Sequence, residues 1–210
     1  MPRITKEKAV VLDYDDTICD FLGFLCRIYN KLNNTCISPT DITEYCFDNV
    51  NFKDVRGNEV TGDQLLETFE EYEKHGLYAA IPLLPESLHA LNIMRNLGYK
   101  LIILTARPKE YEKQTMLNIL HQNVPYDEVL FCPSDEKAKM IRKLSKRYNI
   151  QMFADDKAST IEDVYENCNV NNVVIITKPH NVDMEIDEDI IRVQSLFDSV
   201  RYLKEIKEKS

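Results

Sequence analysis

Short apolar runs recur along this chain, at 9–12, 100–104, 129–132, 151–154 and 172–176. Each is too short for a helix, and most are rich in Val and Ile, so each reads as a strand. The runs are continuous rather than alternating, which means burial on both faces. Between them lie helical segments. In 20–34, Phe21, Leu22, Phe24, Leu25, Ile28, Tyr29 and Leu32 recur at helical spacing. The segment from Pro85-Glu86-Ser87 carries Leu88, Leu91, Ile93, Met94 and Leu97, and Gly98 closes it. Further helices are expected over 108–122, from Ser134 to about 148, over 159–168 and over 196–207. A last short strand is expected at 190–193, after an acidic loop at 183–189. Strands alternating with helices predict a parallel sheet covered on both faces.

The stretch from 18 to about 82 breaks this rhythm. Ser38-Pro39-Thr40-Asp41 has the form of a helix start, leading into Ile42-Thr43-Glu44-Tyr45-Cys46-Phe47. Residues 48–61, with Gly57-Asn58, read as a loop. A second amphipathic helix follows over 63–74, closed by Gly76. The expectation is a mostly helical insert without strands.

A chain of 210 residues suits one large domain, or a domain with an inserted subdomain. Apolar residues make up 44% and charged residues 29%, as in soluble globular proteins. A net charge of −9 with no extended basic block argues against binding a nucleic-acid polymer, while leaving room for a local cationic pocket. Cys19, Cys26, Cys36, Cys46, Cys132 and Cys168 show no zinc spacing. Scattered thiols and a polar N-terminus point to a cytoplasmic protein. No run approaches the length of a membrane span.

The first strand runs straight into Asp13-Tyr14-Asp15-Asp16-Thr17. Carboxylates this close raise one another's pKa or recruit a cation, and hard oxygen ligands favour Mg²⁺. An Asp-rich turn that merely ends the strand is the alternative. Ligands of parallel sheets sit beyond the carboxyl ends of the strands. There this chain places Asp13 and Asp15, then Thr105, then Ser134 and Lys137, then Asp155 and Asp156. Singly, each has a plainer reading: Thr105 or Asp155-Asp156 as a helix cap, Arg107-Pro108 as a turn, Lys137 as a solvated charge.

Together these residues resemble the haloacid dehalogenase (HAD) superfamily of phosphatases. Leu12-Asp13-Tyr14-Asp15-Asp16-Thr17 matches its first motif, D-x-D-x-T. Leu101-Ile102-Ile103-Leu104-Thr105 is similar to the second, Lys137 or Lys139 to the third, and Phe153-Ala154-Asp155-Asp156 to the fourth. The resemblance implies a Rossmann-like, doubly wound parallel α/β sheet over 1–17 and 83–210. It also implies a small helical cap over 18–82, inserted after the first strand.

For the chemistry, the resemblance implies Asp13 as nucleophile and Asp15 as general acid and base. Mg²⁺ would be held by the Asp13 carboxylate, the Asp15 carbonyl and Asp155. Thr105, Ala106 and Lys137 would hold the phosphoryl group, with Asp156 and Thr17 behind them, Thr17 fixing Asp15. Lys137 is favoured over Lys139 because it stands nearer the strand end.

A narrower resemblance, to the 5'(3')-deoxyribonucleotidase group, rests on Asp41-Ile42-Thr43-Glu44-Tyr45, Thr105-Ala106-Arg107-Pro108, His180-Asn181 and Arg192-Val193. Asp16-Thr17 departs from the Gly-Val common there. The resemblance implies a nucleoside monophosphate substrate, with Tyr45, Phe21 and Phe47 as candidate base contacts, although the two Phe residues equally suit a cap core. Another small phosphorylated metabolite, such as a sugar phosphate, is the alternative. A receiver-type signalling module places its acid pair first and its Lys last, which is not the order here. A non-catalytic binding protein does not fit a full set of motif residues.

Overall fold

A computed structural model describes residues 6–45, 47 and 51–208. The strands are β1 (Glu7–Leu12), β4 (Lys100–Thr105), β5 (Glu128–Phe131), β6 (Tyr148–Asp155), β7 (Val173–Ile176) and β8 (Ile191–Val193). Among the described residues they form one six-stranded sheet, in the order β5-β4-β1-β6-β7-β8, with every pairing parallel. The chain winds outward from β1 through β4 to β5. It then crosses back to the other side of β1 and winds outward again through β6, β7 and β8. The reversal opens a crevice at the carboxyl end of β1, flanked by β4 and β6.

Period-two alternation divides the sheet's side chains between two apolar layers. Val10, Leu12, Leu101, Ile103, Met152 and Ala154 face one layer. It is covered by α4 (Ser87–Asn96), α5 (Glu112–His121) and α8 (Leu196–Glu208). Ala9, Val11, Ile102, Leu104, Phe153 and Ile175 face the other, under α6 (Lys137–Leu144) and α7 (Ala158–Asn167). The central side chains are fully buried. Each large one contributes about 1.5–3 kcal/mol from removal of apolar surface from water.

The insert carries α1 (Phe21–Asn33), α2 (Gly62–Lys74) and α3 (Leu77–Ala80). It also holds two strands where a loop was expected: β2 (Asn51–Lys53) pairs antiparallel with β3 (Glu59–Thr61). At the expected helix start at Ser38 stands a 3₁₀ turn, Pro39–Asp41, closed by a reciprocal capping box between Ser38 and Asp41. A small separate core joins Leu22, Cys26 and Tyr29 of α1 to Ile37, Ile42, Val60 and Leu65. The two ends of the insert pack elsewhere: Ile18, Cys19, Leu77, Tyr78 and Ile81 lie in the main core of the sheet.

The outgoing and returning chains run side by side. Leu84 donates its amide to Ile18 at 3.0 Å, and Asp20 donates to Pro82 at 2.8 Å. Two amide side chains of α5 hold the return: Asn118 donates to the carbonyls of Ala79 and Ile81, and Gln122 accepts from the Leu83 amide. Among the described residues, no helix is long and apolar enough to cross a membrane. Cys19, Cys26, Cys36, Cys132 and Cys168 are free thiols, and Cys46 lies outside the described residues.

Candidate active site

β1 ends at Leu12, and the next amide, of Asp13, donates to the Ala154 carbonyl of β6 at 2.9 Å. That bond extends the β1–β6 ladder by one residue and delivers Asp13 beside Asp155, which ends β6, and Asp156 just beyond it. All three are buried, and one carboxylate oxygen from each lies within 4.8 Å of the others. Lys137, the first residue of α6, reaches in with its side chain 2% exposed. Its ammonium donates to Asp13 Oδ1 at 2.6 Å and to Asp155 Oδ2 at 2.7 Å. Lys139 points away: its side chain is 56% exposed and reaches Glu136.

Burial pushes the Asp13 carboxyl well above the ordinary carboxylate range; Lys137 opposes that shift, and the neighbouring carboxylates add to it. Burial likewise raises Asp155. Lys137 is raised too, for the opposite reason. Burial would lower it, but Asp13 and Asp155 outweigh burial and keep it a cation. One ammonium faces three buried acids, so ionising all of them would leave an excess of negative charge at the centre of the site.

The two acids at the carboxyl end of β6, Asp155 and the next residue Asp156, have different partners. Asp155 accepts the Lys137 ammonium at Oδ2 and the Lys157 amide at Oδ1, the latter at 2.9 Å. Asp156 lines the cavity above the cluster and pairs through Oδ2 with His180 Nε2 at 3.1 Å. The turn after β7 fixes this arrangement from behind. Asn181, fully buried, donates to the Asp156 carbonyl at 2.6 Å.

Asp15 is held by an arginine. Arg107 Nε donates to Oδ2 at 2.9 Å and Nη2 to Oδ1 at 2.7 Å, and the Cys19 thiol adds a contact at 3.3 Å. Thr17, expected to fix Asp15, does not do so. Its hydroxyl is buried and has no hydrogen-bond partner among the described residues. Thr105, at the end of β4, is also buried, and its hydroxyl accepts the Arg107 amide at 3.2 Å. Ala106, next in the chain, lines the cavity.

Asp16 adopts a left-handed backbone, φ 53°. Its carboxylate accepts the Leu22 amide at the start of α1, at 3.1 and 3.3 Å. Burial, with Asp156 adding to it, raises its carboxyl to about 8.

The cavity measures about 230 Å³. Asp13, Asp15, Asp16, Lys137 and Asp156 line its floor. The insert supplies the far wall, with Phe21, Leu22, Ile42, Glu44, Tyr45, Phe47 and Tyr78. The three expected aromatics are thus brought to the site together. Phe21 is also braced edge-on by Phe69 at 5.5 Å, and Phe47 packs on the insert's small core. A Cβ at Gly62, the first residue of α2, would overlap the Phe47 carbonyl, so that position needs glycine for the wall to sit here.

Residues 2–181 match the family described as HAD superfamily, subfamily IIIB (acid phosphatase). The chain belongs to the HAD superfamily. Its membership makes it a HAD-family phosphatase, with the buried acidic cluster at the sheet's carboxyl edge. A Bacillus cereus protein named "Putative nucleotidase" is 24% identical over 173 residues, covering 81% of this chain and 82% of that protein. A HAD phosphatase from Thermococcus onnurineus superposes with a TM-score of 0.56 at 18% identity, covering 93% of this chain and 97% of that one. An L-2-haloacid dehalogenase from Xanthobacter autotrophicus superposes with a TM-score of 0.55 at 10% identity, covering 94% and 98%. At such identities the structures share the HAD fold; the reaction has to be argued from the site.

Proposed function

We propose that the chain is a Mg²⁺-dependent phosphomonoesterase that works through an aspartyl-phosphate on Asp13 and acts on nucleoside monophosphates. The observation that carries this reading is the pairing of Asp13 with Lys137 at the floor of the cavity. The Lys137 ammonium opposes the upward shift that burial gives the Asp13 carboxyl, favouring the charged form that attacks, and it would neutralise an incoming phosphoryl oxygen.

The donor set fits the cation. Three buried carboxylates share one lysine, and hard oxygen ligands are what Mg²⁺ prefers. Asp13 and Asp156 face the cavity and would hold the ion, with the Asp15 carbonyl that the family motif supplies. Asp155 completes the acidic wall and holds Lys137. The earlier expectation gave Asp155 the ligand role and Asp156 the supporting one; the hydrogen bonding favours the exchange. When bound, the ion would offset repulsion between the Asp13 carboxylate and an anionic phosphate.

In the first step an Asp13 oxygen bonds to phosphorus and the ester P–O bond breaks. The leaving oxygen takes the electron pair and a proton from the Asp15 carboxyl. In the second, a water oxygen bonds to phosphorus and gives its proton to Asp15. The Asp13–phosphorus bond breaks, and orthophosphate leaves. Lys137 and the Ala106 amide, both at the cavity, would hold the phosphoryl oxygens, and Thr105 supports the turn that carries that amide.

The substrate half of the reading draws on the Bacillus cereus relative's name and on the aromatic wall of the insert. One face of Tyr45 already carries the Lys157 ammonium, 4.6 Å from the ring centre, so a base would stack on the other. A second reading, a smaller ester such as a sugar phosphate, is favoured by the cavity's size. About 230 Å³ is below the ~300–1,000 Å³ usual for small-molecule sites.

A panel of nucleoside monophosphates and sugar phosphates, assayed with Mg²⁺ and with chelator, tests both. Selective, chelator-sensitive hydrolysis of nucleotides is expected. Good hydrolysis of sugar phosphates alone would keep the phosphatase and discard the nucleotidase.

A further inference from the structure

Arg107 is 3% exposed and lies between the Tyr14 and Tyr78 rings, 4.6 and 4.5 Å from their centres. Its two-point fork on Asp15 leaves three donor contacts for other parts of the fold. Nη1 reaches the Tyr78 carbonyl at 3.3 Å and the Thr115 hydroxyl at 3.4 Å, and Nη2 reaches Cys19 Sγ at 3.4 Å. One planar cation therefore touches the loop after β1, the returning end of the insert and α5.

We infer that Arg107 is the positioning residue for proton transfer by Asp15, and that it ties the aim of that carboxyl to the seating of the insert through Tyr78. The inference rests on the reading of Asp15 as general acid and base. A carboxyl that must face a leaving oxygen, and then a water, has to be held in one plane, and a fork does this where a single-point contact cannot. Oδ1 also accepts the Cys19 thiol, but Oδ2 keeps a lone pair outside the fork, so holding the group does not block the transfer. The flanking rings fix the guanidinium in turn. A shift of α3, which carries Tyr78, would move a ring and a carbonyl that both define where the guanidinium sits.

The proton matters most for esters whose leaving oxygen is strongly basic. The test therefore compares kcat/KM for 4-nitrophenyl phosphate, a good leaving group, with that for glycerol 2-phosphate, a poor one, in wild type, Arg107→Lys and Asp15→Asn. General acid–base catalysis is worth about 10²–10⁴-fold. Arg107→Lys should lose about 100-fold or more on glycerol 2-phosphate and less than about tenfold on 4-nitrophenyl phosphate, and Asp15→Asn should show the same selectivity. Equal losses by Arg107→Lys on both esters, beside a selective Asp15→Asn, would overturn the inference and leave the reading of Asp15 standing. An unselective Asp15→Asn would overturn the reading itself. Should a circular-dichroism melt show Arg107→Lys unfolded, Tyr78→Leu replaces it, removing one ring from the guanidinium while leaving the fork. A smaller loss with the same leaving-group selectivity supports the inference, and an unselective change refutes it.

Discussion

Tyr45 meets His180 edge-on, with ring centres 5.2 Å apart and planes at 80°. A residue of the insert thus rests on a residue of the loop after β7, across the mouth of the cavity. His180 in turn holds Asp156. Tyr45→Ala would remove the contact and one wall of the pocket together. Loss of a stacking partner costs about 1–3 kcal/mol, so kcat/KM on a nucleoside monophosphate should fall by about tenfold or more. Hydrolysis of 4-nitrophenyl phosphate should change little. Equal losses on both substrates would instead indicate damage to the insert's fold.

Asp13→Asn should reduce turnover by at least about 10³-fold on every ester, because an amide is not a nucleophile at phosphorus. The thermal midpoint should stay close to that of wild type, since Asn keeps the shape and can still accept from Lys137. Retained activity would rule out attack by Asp13.

Lys137 and Lys139 make a contrasting pair. Lys137→Met would strand Asp13 and Asp155 without their shared cation, and breaking a buried pair costs about 3–5 kcal/mol. Both activity and the denaturant midpoint should drop. Lys139→Ala, on an exposed side chain, should shift stability by less than about 0.5 kcal/mol and leave activity intact. The reverse pattern in urea titrations and assays would exchange the two assignments.

Asp127 gives a pH-dependent stability that can be read away from the site. Burial pulls its carboxyl upward, but the Leu101 amide and the Lys100 ammonium prevail and hold it below the ordinary range. A folded value below the unfolded one, about 3.9, means the stabilisation is fully present above that pH and fades as pH falls through the folded value. Asp127→Ala should therefore cost about 1 kcal/mol at neutral pH, with the gap from wild type closing in acid. Urea midpoints measured across that range would show a constant gap if the carboxylate contributed nothing.

Asp16 explains its own departure from the nucleotidase pattern. A left-handed φ favours Gly, and Asn and Asp are the side chains that tolerate it best. This Asp adds a hydrogen bond to the start of α1 that Gly would lack. Asp16→Asn should stay within about 1 kcal/mol of wild type, whereas Asp16→Val should lose about 1–3 kcal/mol from backbone strain alone, as thermal melts would show.

The sheet was legible because its strands are unbroken apolar runs, and the runs at 9–12, 100–104 and 173–176 could be little else. The β2–β3 pair was not. Three-residue strands such as Glu59-Val60-Thr61 show one buried side chain, too few for a period to appear. The four residues of α3 fail for the same reason. At the site, Asp13, Lys137, Asp155 and Asp156 were legible from motif order. The grip of Arg107 on Asp15 joins residues 92 apart in the chain, and that of His180 on Asp156 joins residues 24 apart. Arg107 read locally as part of a turn, and nothing in its own neighbourhood names its partner. The available signal was its place just beyond the end of a buried strand. The partners of Asp155 and Asp156 depend on which oxygen faces which way, and no sequence pattern carries that.

The paired chains at Ile18–Leu84 and Asp20–Pro82 make a socket. Whatever is plugged into it begins and ends at neighbouring points, so the sheet has the same two anchors for a long insertion as for a short one. Closing a loop costs free energy that grows only with the logarithm of its length. The part that faces the cavity can therefore be lengthened, trimmed or exchanged over evolutionary time without restringing the sheet and helix that position Asp13, Lys137 and Asp156. Retargeting such a protein is a matter of changing the plug.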